Sequence, residues 1–382
     1  MSGIAPGPER EERWEPDVLP GFERLTLPLA PDDEGDVVAT LVRRVGPGAD
    51  AGVDLLYVHG WIDYFFQTHL ADFWEGLGVR FHALDLRKYG RSLRDHQTPG
   101  YTDDLAVYDE DIEAALRALG HAAPDAPSSA HPRKLLLMGH STGGLTLALW
   151  ADRHPGRADA LVLNSPWLEF QTRYLGRRVL EGPVRAHAAV APRGHLVNVD
   201  QGFYVRSISR RYDGEWDYDT AWRPDSGWRA TPAWLAAVFD GHERVAHGLG
   251  VDVPILVLLS ARSTAPVRWH DDMLRTDSVL DVPGVARRVP HLGSVVTLVR
   301  IDGALHDVTL SAAPVREVVW RETARWFHGY VAPAAPTPTT PRPPWWRRLF
   351  AAPGAVSRSA APTPPPGRSS PRSPAPTAQS RL

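Results

Sequence analysis

The stretch from Lys134 to Arg153 constrains the fold of this chain more than any other. Lys134-Leu135-Leu136-Leu137-Met138 has the length and apolar character of a buried strand, and Leu145 to Arg153 repeats at helical period. Between them lies Gly139-His140-Ser141-Thr142-Gly143-Gly144. A serine on a sharp strand-to-helix turn is held in strained backbone geometry, and small neighbours let the chain pass close to itself. Such a turn exposes the hydroxyl above the sheet, where the helix N-terminus favours developing negative charge. A glycine-rich helix start with a capping serine is the plainer reading. The setting between strand and helix favours a nucleophile at Ser141.

The flanking sequence repeats the same alternation. Val37–Val42, Val53–Val58, Arg80–Leu84, Ala160–Leu163, Pro254–Leu259 and Val295–Val299 read as strands, and Leu105–Leu119 as a helix with acidic residues in its first half. Strands that are apolar throughout and separated by helices indicate a parallel sheet covered on both faces. The rhythm lapses from about 168 to 250, a stretch rich in Arg, Trp, Gly and His, and returns at 254; a last amphipathic helix runs from about 314 to 330. The expected fold class is therefore α/β, a doubly wound, mostly parallel sheet interrupted by an inserted cap. Residues 1–20 are polar and read as a mobile arm, 21–331 as the folded domain and 332–382 as a disordered tail.

That tail is Pro, Ala, Thr, Ser and Arg with seven arginines and no Asp or Glu, too little apolar surface to offset its ordering entropy. Within it, Trp345-Trp346-Arg347-Arg348 could give a weak contact with an anionic membrane surface; the bland reading is a fortuitous aromatic cluster. The formal net charge of −3 gives no case for nucleic acid. With no cysteine, disulfides, thiolate zinc sites and a cysteine nucleophile are excluded. The start lacks an apolar h-region and no apolar run approaches the ~20 residues of a membrane span, so the expected location is the cytoplasm.

A serine hydroxyl needs a base that is itself oriented by an acid. Where the nucleophile sits on such a turn, the chain order is serine, acid, histidine. Of the sixteen histidines, His306 lies on a Gly303-bearing turn just beyond the last strand, where a base would overhang the strand ends. The acid should follow the strand at 254–259, yet Ser260-Ala261-Arg262-Ser263 carries no carboxylate. Among Asp271, Asp272, Asp277 and Asp281, Asp277 is preferred and Asp281 stands second, because Asp277 precedes a short apolar stretch and a helix. An oxyanion hole needs two backbone N–H groups. Thr142 should supply one and Trp61, after His59-Gly60, the other.

With these residues in place, the chain resembles the lysophospholipase, monoacylglycerol lipase and serine-aminopeptidase-like group of α/β hydrolases. Val58-His59-Gly60, Asp85-Leu86-Arg87-Lys88-Tyr89-Gly90-Arg91-Ser92, the turn at 139–144, Asp277 and Gly303-Ala304-Leu305-His306 occur in matching order. Two departures are an insertion at Arg262–Arg275 ahead of the acid and a cap rich in Arg and Trp. The resemblance implies cleavage of a carboxylic ester through an acyl-enzyme, without metal or organic cofactor. A lipid-like monoester, such as a lysophospholipid or monoacylglycerol, is the expected substrate. Trp167, Trp216, Trp222, Trp228 and Trp234 would either line an acyl pocket or form the cap's own core. Arg173, Arg177, Arg178, Arg206, Arg210 and Arg211 would either meet an anionic head group or pair with nearby carboxylates. A peptidase or acyltransferase with the same triad, and a non-catalytic binding protein on the same fold, are the alternatives.

Overall fold

The computed structural model describes residues 13–46, 50–121, 131–170, 177–196 and 202–332. Among the described residues the strands are β1 (Glu15–Pro16), β2 (Phe22–Asp32), β3 (Gly35–Arg44), β4 (Val53–Val58), β5 (Arg80–Asp85), β6 (Lys134–His140), β7 (Ala160–Asn164), β8 (Ile255–Ser260) and β9 (Val296–Ile301). They form one sheet in the order β1-β2-β3-β5-β4-β6-β7-β8-β9. From β5 through β9 neighbours run parallel, whereas β1, β2 and β3 form an antiparallel edge.

Alternate residues of the central strands enter two separate apolar layers, as strand geometry requires. Leu55, Tyr57, Leu136, Met138, Leu256 and Leu258 face α1 (Thr68–Gly76) and α8 (Ala313–Tyr330), represented by Leu70, Trp74, Trp326 and Phe327. Leu56, Val58, Leu135, Leu137, Val257 and Leu259 face the opposite layer, which contains α2 (Tyr108–Ala118) and α3 (Thr142–Arg153). Each such buried side chain contributes about 1.5–3 kcal/mol. The central strands β4, β6, β7 and β8 can therefore be buried along almost their whole length on both faces.

This winding also positions the site. The chain goes outward from β4 to β5, then crosses back to β6 on the other flank of β4. Such a reversal leaves a crevice above the C-terminal strand ends, the usual ligand position in a doubly wound sheet. Val58 pairs with Gly139 there, so the loops after β4 and β6 emerge side by side.

Several expectations need correction. The strand Phe22–Asp32, which forms the antiparallel edge of this mostly parallel sheet with β1 and β3, is absent from the sequence-based strand reading. Residues 13–20 are not a free arm: Glu15 and Pro16 pair with Arg24 and Glu23, and Asp17 accepts two hydrogen bonds from Arg91, both 2.7 Å. The physical reason is the buried Arg91 guanidinium, which also reaches Asp85 at 2.8 Å and would be costly to leave unpaired. Helix α3 starts at Thr142, three residues ahead of the apolar repeat, because the elbow leads straight into it.

Between β7 and β8 lie α4 (Arg177–Val190), α5 (Phe203–Ile208) and α6 (Pro232–His247). Pro at the start of α6 and the Thr231 hydroxyl accepting from Trp234 N define its N-terminus. After β8 comes α7 (Val282–Arg288). No helix among the described residues is long and apolar enough to cross a membrane. The Trp345-Trp346-Arg347-Arg348 cluster and Arg173 lie outside the described residues, as do the side chains of Arg177 and Arg178.

Candidate active site

Ser141 occupies the turn between β6 and α3 with φ +52° and ψ −116°, a conformation that L-residues rarely adopt. Its neighbours explain the glycines. A Cβ on Gly143 would sit 2.2 Å from His59 O, and one on Gly139 would sit 2.6 Å from Gly143 O. Ser141 N donates to Asn164 O on β7 at 3.0 Å, and Trp167 N donates to Ser141 O at 3.0 Å. The turn is thereby held from the neighbouring strand and from the loop beyond it.

The structure brings the expected hydroxyl, imidazole and carboxylate into one buried chain. Ser141 Oγ lies 3.1 Å from His306 Nε2, and His306 Nδ1 lies 3.0 Å from Asp277 Oδ2. The other carboxylate oxygen of Asp277 accepts from Val279 N at 2.7 Å and Leu280 N at 2.8 Å. With one oxygen committed to two amides, the second is aimed at the ring. Asp281 instead stands at the entry to α7 and makes no bond to His306.

The Arg262–Arg275 insertion does not carry Asp277 away. Ser263 and Asp277 form a parallel bridge, with Asp277 N donating to Arg262 O at 3.0 Å and Thr264 N donating to Asp277 O at 2.9 Å. The insertion loops out and returns to the end of β8. Within it, Trp269 lies under the Arg206 guanidinium of α5, 4.0 Å from ring to charge centre, and near Phe203.

The loop after β4 faces the turn from the other side. A Cβ on Gly60 would lie 3.1 Å from both Ser141 Cβ and His140 Nδ1. Burial pushes the His59 imidazole below its ordinary pKa, so the ring stays neutral. Its Nδ1 donates to Gly60 O at 2.8 Å, and its Nε2 accepts from Leu86 N at 3.1 Å. Among the described residues neither Trp61 N–H nor Thr142 N–H has a protein acceptor, which leaves both available to an oxyanion.

The cap's tryptophans divide between two clusters. Trp61 stacks on Trp234 with centroids 3.8 Å apart, and Trp167 and Trp228 stand edge-on or tilted beside this pair. Trp216 and Trp222 instead pack with Tyr64, Phe66 and Leu310. Arg206, Arg210 and Arg211 pair with Asp213, Asp217 and Asp225, respectively.

A polar cluster behind His306 is not anticipated by the sequence reading. Asp307 accepts from Asn164 Nδ2 at 2.6 Å and from Thr309 N and Oγ1 at 2.9 and 2.6 Å. Burial opposes its ionisation, but the nearby His140 and these bonds hold the carboxyl below its usual range. Asp307 N donates to Tyr204 Oη at 3.2 Å, and the Tyr204 ring stands edge-on to His306. Arg223 of the cap donates to Asp63 at 2.8 Å, with both side chains buried. His140 is buried between these groups, Nδ1 3.6 Å from Asp63 and its ring 4.9 Å from that of His306. The available sequence signal for Asp63 was its place three residues after Gly60; Arg223 offered none.

The family profile described as serine aminopeptidase, S33 matches residues 53–267, more than half of the chain. The monoacylglycerol lipase of Mycolicibacterium smegmatis is 32% identical over 123 residues, which span 31% of this chain and 40% of that lipase. A probable esterase of Oryza sativa subsp. indica is 29% identical over 132 residues, 33% of this chain and 44% of the esterase. The chain thus matches less than half the length of these curated relatives. Among solved structures, the monoacylglycerol lipase of Paleococcus ferrophilus has a TM-score of 0.55 at 21% identity, covering 73% of this chain and 95% of that one. A soluble variant of the Saccharomyces cerevisiae monoglyceride lipase also reaches 0.55, at 16% identity, over 85% and 99% of the two chains. At those identities the likeness is one of fold. The profile match, on a doubly wound sheet shared with these lipases, establishes that the chain belongs to the serine aminopeptidase S33 family of α/β hydrolases.

Proposed function

We propose that the chain is a serine hydrolase that cleaves a carboxylic ester of a lipid-like monoester through an acyl-enzyme. The observation that carries this reading is the run Ser141 Oγ–His306–Asp277 at 3.1 and 3.0 Å on a strained elbow. His306 Nε2 takes the hydroxyl proton as Oγ attacks the ester carbonyl, and Asp277 holds the tautomer that leaves Nε2 free. Trp61 N–H and Thr142 N–H receive the oxyanion. The imidazolium then protonates the leaving alkoxide, and water, activated by the same ring, releases the acid.

The substrate preference rests on the surroundings. Trp61, Trp167, Trp228 and Trp234 give the nucleophile an aromatic flank suited to an acyl chain, and the M. smegmatis relative is named a monoacylglycerol lipase. The cap selects what enters. An aminopeptidase role would call for an unpaired carboxylate to meet a free amine. The buried Asp63 and Glu169 on the flanking loops are each taken by an arginine, Arg223 and Arg288.

A fluorophosphonate probe tests the reading: it should label the wild type and spare Ser141→Ala, and equal labelling of both would refute Ser141 as nucleophile. A chain-length series of p-nitrophenyl esters then reads the acyl preference, with a peak at medium or long chains expected and a peak at acetate opposing the lipid-like assignment.

A further inference from the structure

The loop that carries Trp61 N–H is strained. Ile62 has φ +52°, a left-handed conformation that a β-branched residue adopts only when its surroundings force it. Tyr89 and His140 of the main domain touch Trp61 and Asp63, and the cap adds a hold on each side of Ile62. The Trp61 ring is stacked on Trp234 of α6 at 3.8 Å. One residue beyond Ile62, Asp63 Oδ1 accepts from Arg223 Nη1 at 2.8 Å, and Tyr64 Oη accepts from Asp219 N at 2.7 Å. The Arg223–Asp63 pair is almost wholly buried, with side chains 5% and 2% exposed. Arg223 is further enclosed by the rings of Phe66, Tyr204 and Tyr218. A charge so enclosed is difficult to reseat elsewhere.

We propose that Arg223 is a positioning residue: through Asp63 it clamps the strained Trp61–Asp63 turn, so that seating the cap and assembling the oxyanion hole are one event. The cap is then part of the catalytic geometry, because withdrawing it lets Ile62 relax and carries Trp61 N–H away from Ser141. The inference rests on the ester-hydrolase reading given above. It also assigns Arg223 no contact with substrate, which separates it from an anion-recognition role.

The test uses the full-length protein with p-nitrophenyl butyrate as substrate and an alkyl trifluoromethyl ketone as oxyanion-forming inhibitor. Removing the clamp displaces one donor by a fraction of an ångström. Arg223→Met should therefore lose roughly 10–100-fold in kcat with KM changed less than about two-fold. Affinity for the ketone should fall in parallel, and Arg223→Lys should recover part of both losses. Since Arg223 acts through Asp63, the double variant Asp63→Asn/Arg223→Met should be no slower than the worse single variant. It also avoids stranding a buried carboxylate, so it serves if Arg223→Met fails to fold. An unchanged kcat in folded variants, a rise confined to KM, or losses that multiply in the double variant would each overturn the proposal. Failure of the ester-hydrolase reading would look different, as a wild type with neither turnover nor fluorophosphonate labelling.

Discussion

The Asp277 carboxylate meets the His306 ring at 3.0 Å because Ser263 and Asp277 pair across the base of the insertion between them. The acid therefore stands at the end of β8 in space although it lies seventeen residues beyond Ser260 in the chain. Asp277→Asn should present Nδ2 to the ring and stabilise the wrong tautomer, lowering kcat on the order of 10³–10⁴-fold. Asp281→Asn should stay within a few-fold of wild type. Steady-state turnover of a p-nitrophenyl ester separates the two, and loss confined to Asp281→Asn would reverse the assignment.

The strain at Ser141 makes a second prediction. Its φ of +52° suits glycine, whereas any side chain there opposes folding. Ser141→Gly and Ser141→Ala should both abolish turnover. The glycine variant should nevertheless be more stable than the alanine variant by about 1 kcal/mol, the usual scale of such backbone effects. Urea denaturation midpoints at constant slope measure the difference, and an equal or lower midpoint for the glycine variant would contradict stored strain at the elbow.

How much of this was legible in the sequence follows the range of the interactions. Ser141, Gly139 and Gly143 announce themselves because the elbow is local: strand, turn and helix lie within twenty residues. His306 follows from one turn beyond the last strand. Asp277 could be preferred, but the pairing with Ser263 that returns it to β8 could not be read, since neither residue carries a pattern for it. The cap was opaque for the same reason. Arg223 meets Asp63 across 160 residues, and Tyr204 meets Asp307 across 103. The antiparallel edge was missed at β2, where Pro28 and interleaved Glu, Arg and Thr mask a strand that buries only Phe22, Leu25 and Leu27.

Acid should destabilise the fold through His82 on β5. Burial pushes its imidazole down to about 4, against an ordinary value near 6.5, and Nδ1 has no partner among the described residues. The folded protein keeps the ring neutral while the unfolded chain takes up a proton. The stability this confers is complete above about pH 6.5 and is lost as the pH falls to about 4, amounting to about 3 kcal/mol. His59 and His69 are pushed down in the same direction by burial, so the wild type alone cannot isolate the effect. Comparison with His82→Leu does: the difference in unfolding free energy between pH 7 and pH 4.5 should be smaller in the variant. Identical differences in the two proteins would rule out His82 as a source of acid sensitivity.

The same one-methyl change should act on stability at one glycine of the site and on turnover at another. An alanine Cβ at Gly143 would stand 2.2 Å from His59 O and 2.5 Å from Val58 O, both backbone atoms that cannot yield without moving β4. Gly143→Ala should lose about 3 kcal/mol or fail to accumulate as folded protein. At Gly60 the nearest atoms are Ser141 Cβ and His140 Nδ1 at 3.1 Å, with His140 O at 3.4 Å, so a few tenths of an ångström suffices. That displacement separates the elbow from the loop bearing Trp61 N–H, so Gly60→Ala should fold with a nearly unchanged Tm. Its kcat should fall roughly 10–100-fold at similar KM, because a small misplacement weakens the oxyanion contact more than ground-state binding. Thermal melts and p-nitrophenyl butyrate kinetics on both variants decide the matter, and a folded Gly60→Ala with wild-type kcat would remove the loop after β4 from the oxyanion hole.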